Sequence, residues 1–198
     1  MIASIRACLA IVILSLTGSE ALLASVTVRE IEFRKIDEFA SDGEWLECSL
    51  QLEVRRDSSD RNRRNPDFID GLVVNLMIGI EVEGRSGNQD RFDFYEAEAA
   101  LVSLPEGRHA VRFYLPPEIV ERDRIGQEAH SYLIRLSRED RTLHEVVSRE
   151  LERSNVRESF LTRVDSDAPK NDGILLAQPN TPFVLAYPND TPSFRRTR

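Results

Sequence analysis

The 198-residue chain holds only two cysteines, one tryptophan and two methionines, and aromatic residues make up just 7% of it. Cys8 falls inside an N-terminal apolar segment. Once that segment is removed Cys48 stands alone, so no internal disulfide can form even in an oxidising compartment. A single tryptophan, Trp45, is thin material for an aromatic sugar-binding platform. No later run is apolar enough to cross a bilayer as a helix. Positive charge is in deficit as well: the formal net charge is −8, which suits solubility and argues against a dedicated nucleic-acid binder. The spacings His-Glu-x-x-His, Cys-x-x-Cys, Gly-x-Ser-x-Gly and the phosphate loop do not occur. The three histidines, His109, His130 and His144, fall in or beside different expected strands. Nucleophilic catalysis needs a base within reach of its nucleophile, and no local pattern offers one. The expectation is therefore a non-enzyme without cofactor or metal, with a hydrolase built from distant residues as the alternative.

What is present begins with an export signal. Arg6 is the only early charge, and the apolar run Ala7 to Leu16 has signal-sequence length while being too short to span a membrane. Thr17, Gly18 and Ser19 break the helix. Small residues offer cuts after Ala21 or after Ala24, and the second is preferred because Ser25-Val26-Thr27-Val28 already reads as a strand. An uncleaved N-terminal anchor is the alternative. A lipoprotein signal does not fit, since Cys8 precedes the apolar core. Cleavage removes Arg6 together with Glu20, so the net charge is unchanged. The expected organisation is a signal peptide at 1–24, one domain at 25–170 and a Pro-rich tail at 171–198.

Within the domain, alternation of period two dominates, the signature of half-buried strands. Over Trp45–Arg55 it puts Leu46, Cys48, Leu50, Leu52 and Val54 on one face, with Glu47, Ser49, Gln51 and Glu53 on the other. Cys48 is thereby a buried, inert thiol rather than a nucleophile. Leu72–Val82 repeats the pattern with Leu72, Val74, Leu76, Ile78, Ile80 and Val82. Its other face carries Val73, Asn75, Met77 and Gly79, so this is the expected central strand. In Phe92–Leu101 the parity changes between Phe94 and Tyr95, which predicts a β-bulge. Ala110–Leu115, His130–Ser137, Leu143–Leu151 and the edge strand Val26–Ile36 complete seven. Pro116-Pro117-Glu118 suits the first turn of a short helix ending near Arg122. This pattern predicts an all-β protein, an antiparallel β-sandwich of immunoglobulin-like type, over a closed barrel, because the long hydrophilic 55–67 connection reads as a crossover between sheets.

Beyond Ser154 the period lengthens: Val156, Phe160 and Val164 recur every four residues, as in a short helix or an irregular docking strip. Ile174-Leu175-Leu176 forms an apolar plug, and the proline-rich stretch that follows carries Phe183 and Tyr187. Such a segment cannot join a central strand. It either packs across the domain or is offered to a partner. The run Arg55-Arg56-Asp57-Ser58-Ser59-Asp60-Arg61-Asn62-Arg63-Arg64-Asn65 is a solvated crossover or an electrostatic docking loop for an acidic partner. Its Asp/Asn alternation lacks the glycine and closing glutamate of a calcium loop. Candidate partner contacts are thus Arg55, Arg56, Arg61, Arg63, Arg64, Phe183 and Tyr187. The basic C-terminal end, Phe194 to Arg198, reads as a frayed tail.

Five stretches carry a family likeness. They are Phe68-Ile69-Asp70-Gly71, Ala99-Ala100-Leu101-Val102-Ser103-Leu104, Arg112-Phe113-Tyr114-Leu115-Pro116-Pro117-Glu118-Ile119-Val120, Asn171-Asp172-Gly173-Ile174-Leu175-Leu176 and Thr181-Pro182-Phe183. In these the chain resembles the exported immunoglobulin-like proteins of verrucomicrobial-type bacteria linked to type IV pilus assembly clusters, over about residues 28–187. The motifs are structural and bring no binding residues with them. The resemblance implies an accessory or interaction protein of the outer envelope, in the periplasm or at the cell surface, with protein partners among pilus assembly components. A periplasmic or surface module binding a carbohydrate or other small ligand is the second reading.

Overall fold

The computed structural model describes residues 26–37, 43–56, 65–82 and 91–195. The signal peptide expected at 1–24 lies outside them. In chain order the elements are β1 (Val26–Ile36), β2 (Trp45–Val54), β3 (Phe68–Asp70), β4 (Val73–Val82), β5 (Arg91–Ala100), β6 (Ser103–Pro105), β7 (Gly107–Leu115), α1 (Pro117–Arg122), β8 (Ser131–Arg138), β9 (Arg141–Val147), α2 (Ser154–Asp167) and β10 (Leu176–Ala177). Strands pair antiparallel into two four-stranded sheets, β1-β2-β7-β10 and β5-β4-β8-β9, with β3 and β6 forming a small ribbon. The result is the expected immunoglobulin-like β-sandwich. Its seven long strands are those the alternation predicts, and the chain passes from β2 in the first sheet through the ribbon strand β3 to β4 in the second. Helix α1 begins behind Pro116 with Glu118 in its first turn, where proline's fixed φ and a carboxylate near the positive dipole end both favour initiation.

Between the sheets, the inward alternate residues interlock. From the first sheet come Leu46, Cys48, Leu50 and Leu52 of β2 with Val111, Phe113 and Leu115 of β7; from the second come Val74, Leu76, Ile78 and Ile80 of β4 with Tyr95, Ile134 and Leu136. Strand β4 is central, bonded to β5 on one side and β8 on the other. Burying one such aliphatic side chain is worth about 1.5–3 kcal/mol, so this layer supplies most of the driving force.

The expected bulge at Phe94–Tyr95 is absent: β5 pairs with β4 in unbroken register from Val73↔Ala100 to Val82↔Arg91. Parity changes there because both faces of the second sheet are covered. Tyr95 points into the main core, whereas Phe94 points outward into a second cluster with Met77, Leu133, Leu151, Phe160, Val164 and Ala168. The cover is α2, whose Phe160 meets Phe94 edge-on at 5.6 Å. The period-four repeat is therefore a helix, and its apolar stripe is what makes outward residues of β4, β5 and β8 apolar too. Register shifts do occur elsewhere, at Val28/Glu30 in β1 and Leu136/Ser137 in β8. The last long strand is corrected as well. It ends at Val147, and Arg149–Leu151 is a 3₁₀ turn that drops Leu151 under α2.

At the middle of β4, Gly79 lets the helix approach: a Cβ there would sit 2.6 Å from Ser131 Oγ, 3.3 Å from Phe94 Cε1 and 3.4 Å from Phe160 Cε2.

Two substitutions in β4 test the two-sided burial. Leu76→Ala, in the inner layer, should cost about 2–5 kcal/mol in urea unfolding. Gly79→Ala, on the helix-covered face, should cost about 1–3 kcal/mol by overpacking. Asn75→Ala, which loses only a bond from its amide to Glu96 Oε1 (2.8 Å), should cost less than Leu76→Ala.

Candidate interaction surface

The outer face of the first sheet is built from the side chains that alternation turns away from the core: Trp45, Glu47 and Ser49 on β2, Arg112 and Tyr114 on β7, and Arg34 on β1. All but Arg34, which stays exposed, are buried on this face, and the C-terminal segment lies against them. Leu176 and Ala177 pair with Tyr114 and Phe113, adding β10 to the open side of β7. Two 3₁₀ turns follow, Gln178–Asn180 and Pro182–Leu185, the second opened by Thr181 Oγ1 accepting from the Phe183 amide at 3.2 Å. That turn drives Phe183 inward, where its ring stacks on Tyr114 at 4.6 Å and meets Trp45 edge-on at 5.3 Å.

Beside this aromatic contact lies a charge network. Glu47 has no exposed surface. Its carboxylate accepts from Arg34 Nε (2.7 Å), Tyr114 OH (2.8 Å) and Tyr187 OH (3.1 Å). Arg34 Nη2 also donates to the Tyr187 hydroxyl at 2.7 Å. One strand over, Arg112 is 6% exposed. Its guanidinium lies 3.9 Å from the Tyr187 ring centroid, and Nη2 donates to Asp190 at 2.6 Å. Its Nε and Nη1 are buried without a hydrogen-bond partner, as is Oε1 of Gln178. Further along, Phe194 bridges Leu101 and the Arg195 amide donates to the Ala100 carbonyl. Tyr187 thus serves both charged clusters, its hydroxyl on Glu47 and Arg34 and its ring under Arg112.

A separate cleft of about 740 Å³ is lined by Arg91, Asp93, Arg122, Asp123, Arg163 and Asp167 among others. Its carboxylates are held by neighbouring cations: Asp123 by Arg122 through two bonds of 2.8 and 2.6 Å, and Asp167 by Arg163 (3.1 Å) and Lys170 (2.7 Å). The Asp123 carboxylate holds the Arg122 guanidinium above its ordinary range, and Lys170 holds the Asp167 carboxyl below its own. Such internal pairing leaves little net field for a charged ligand.

The sequence-derived contacts scatter. Arg55 and Arg56 stand exposed beyond the end of β2, reaching Glu53 and Asp67 at 3.3 and 3.4 Å, while Arg61, Arg63 and Arg64 lie outside the described residues. Phe183 is 1% exposed. It anchors the tail on its own domain, against Tyr114 and Trp45. Tyr187 sits half-buried beside it. Burial pushes the Cys48 thiol up, as an inert cysteine requires. The histidines stay apart: His109 meets the Pro105 carbonyl at 2.8 Å, His130 packs on Phe92, and burial lowers His144. Alternation alone had given Glu47 to solvent and passed over Arg34, Arg112 and Asp190. The available signal was aromatic: Trp45 and Tyr114 both point outward, and a proline-rich segment with apolar anchors follows to cover them.

No family model matches this sequence, and no curated protein does. A crystal structure from Akkermansia muciniphila is similar in fold, with a TM-score of 0.64 at 17% identity, covering 87% of this chain and 93% of that one. The likeness is one of architecture.

All four tyrosines, Tyr95, Tyr114, Tyr132 and Tyr187, are held above the ordinary phenol value, by burial first and, except for Tyr132, by a nearby carboxylate next. The folded state therefore keeps protons that the unfolded chain loses near pH 10, about the free phenol value. Their contribution to stability is complete below that pH and falls as pH rises above it. Tyrosinate absorbance of the native protein at pH 10 should be lower than four free phenols would give, and should rise with alkaline unfolding. Normal titration near pH 10 with the fold intact would contradict this burial. Glu47→Ala should cost about 1–3 kcal/mol, chiefly by leaving the buried Tyr114 hydroxyl unpaired, since Arg34 is exposed enough to be solvated, and Tyr187→Phe about 1 kcal/mol.

Proposed function

We propose that this chain is an exported, non-catalytic module of the cell envelope that works through protein contacts in type IV pilus assembly. On this reading residues 1–24 are a cleaved signal peptide, 25–170 the sandwich and 171–198 a tail that completes it. The observation that carries the proposal is how the fold uses its ionisable groups. The Glu47, Asp123 and Asp167 carboxylates are each engaged by cations, Glu47 across two strands and the other two by residues close in sequence, and Cys48 is sealed in the core. Its chemistry goes into fixing a shape. The pilus association rests on the family resemblance of the sequence, and a similar fold in a verrucomicrobial bacterium agrees with it.

The ligand-binding alternative loses its platform. Trp45 and Tyr114, the aromatic pair that could have received a sugar ring, are 7% and 0% exposed beneath Phe183. What the tail presents outward is apolar: Leu185 is 82% and Val184 45% exposed on the turn whose inner side Phe183 fixes. A partner groove of apolar character fits that pair, and Arg55 and Arg56 offer a separate contact for an acidic one.

Affinity capture of the tagged full-length chain from cross-linked envelopes of the native host tests the proposal. Pilus assembly components should be enriched, and Leu185→Asp should reduce that enrichment severalfold while leaving the unfolding midpoint within error. Capture of envelope proteins with no pilus component among them would refute the pilus assignment, and turnover of a substrate would refute the module as a whole.

A further inference from the structure

The first sheet is closed at one edge from within the chain, by β10, and left open at the other: among the described residues β1 pairs only with β2. The far side of β1 therefore presents a row of backbone N–H and C=O groups to whatever approaches it. We infer that this edge takes a short extended segment of a partner protein as an added strand, one in which basic residues alternate with apolar ones. The inference rests on the reading above that the chain works through protein contacts, and it names the chemistry of one of them.

Three observations carry it. First, the usable edge is a bounded window. The β1–β2 register breaks between Val28 and Glu30, then runs unbroken from Glu30↔Gln51 to Ile36↔Trp45. Lys35, opposite the core residue Leu46 and tied to Glu44 at 3.4 Å, ends the apolar face. A bulge and an inward-turned charge are devices that keep an edge from open-ended pairing. Between them Glu30 to Arg34 is left, the length of a short strand. Second, the inward residues of this window are only half covered. Ile31 and Phe33 pack on the core yet stay half-buried, and the Phe33 ring lies 5.8 Å from that of Tyr132. Apolar side chains of an added strand would fall beside them. Third, charge selects the occupant. Each cation of β1 is already committed, Arg29 to Glu53, Arg34 to Glu47 and Lys35 to Glu44. Glu30 and Glu32 are exposed, carry no ion pair within the described residues, and stand opposite neutral Gln51 and Ser49 on β2. A cation on the added strand supplies the cross-strand neighbour that each lacks.

A second copy does not meet this need. Its own β1 would bring Glu30 and Glu32 with no free cation to answer them, and like charges across strands are destabilising. The alternation matters as much as the charge. Period two places basic side chains opposite Glu30 and Glu32 on the outer face and apolar ones opposite Ile31 and Phe33 on the inner face, while main-chain hydrogen bonds supply affinity. The net charge of −8 favours encounter with a basic segment as well.

The test uses purified full-length protein and a fluorescent peptide in which Lys and Arg alternate with Val, beside a counterpart carrying Glu at the basic positions. Anisotropy should show the basic peptide binding at least about tenfold more tightly than the acidic one, two cross-strand charge pairs being at stake. Its binding should slow hydrogen exchange at the amides of Glu30 to Arg34, and N-methylation of the peptide amides should abolish it. The doubly reversed protein, Glu30→Lys with Glu32→Lys, should invert the preference. Glu158→Lys with Asp165→Lys, the same change of charge on exposed positions of α2, should leave the preference as it is. An unaltered preference in the β1 variant, inversion by the α2 variant as well, or protection away from β1 overturns the inference. So does a wild-type dimer held through β1, which would give the edge to a second copy. None of these failures touches the pilus association, which envelope capture reads independently.

Discussion

The Glu47 carboxylate is sealed from water on the outer face of a sheet, and the packing of the last part of the chain follows from holding it there. A carboxylate in that position is costly unless donors surround it. The sandwich itself supplies two, Arg34 from β1 and Tyr114 from β7; the third, Tyr187, comes from the tail and its ring also underlies Arg112. Trp45 and Tyr114 then provide the apolar floor on which Phe183 stacks. Each part supports the next: without the tail, water could solvate the carboxylate, but the Trp45 and Tyr114 rings would lose their cover. The tail is bound into the architecture by electrostatics and stacking in one place.

The second sheet solves a related problem by other means. Its outer face is apolar at Met77, Phe94 and Leu133, and α2 covers it with Phe160 and Val164 while Gly79 keeps the gap narrow. The molecule is thus four layers deep where the alternation pattern describes two: tail, sheet, sheet, helix. Immunoglobulin-like sandwiches ordinarily leave their outer faces wet, and alternation hydrophobic-in, polar-out is the sequence record of that. Here the record is blurred wherever the outer face is covered.

That blurring separates what could be read from the sequence from what could not. Strands β2 and β4 were legible almost to the residue because one face of each is apolar throughout. The helix α2 was legible as a four-residue repeat. Phe94–Tyr95 misled because two adjacent buried aromatics look like a slipped register when only one face is assumed to be buried; the second cover lies some sixty residues downstream. Glu47 misled for the same reason, since an acidic residue between aliphatics signals solvent unless Arg34 and Tyr187, distant in sequence, are known to converge on it. Long-range pairing of polar groups leaves no local periodicity, so the core was visible and the interaction surface was not. Phe183 and Tyr187 stood out as unusual for a tail, but the direction they face is fixed by Trp45, Tyr114 and Arg112.

The central claim is that the C-terminal segment is a structural layer of the sandwich. The most direct test compares the unfolding free energy of the full chain with that of a chain ended at Gly173, followed by the fluorescence of Trp45, the only tryptophan, which lies against Phe183. The account predicts a loss of several kcal/mol, in the range of about 3–5 kcal/mol for removing even one large buried aromatic, together with a Trp45 spectrum shifted toward that of an exposed indole and a tendency to aggregate. Unchanged stability with an unchanged Trp45 spectrum would contradict it and make the tail a passive extension.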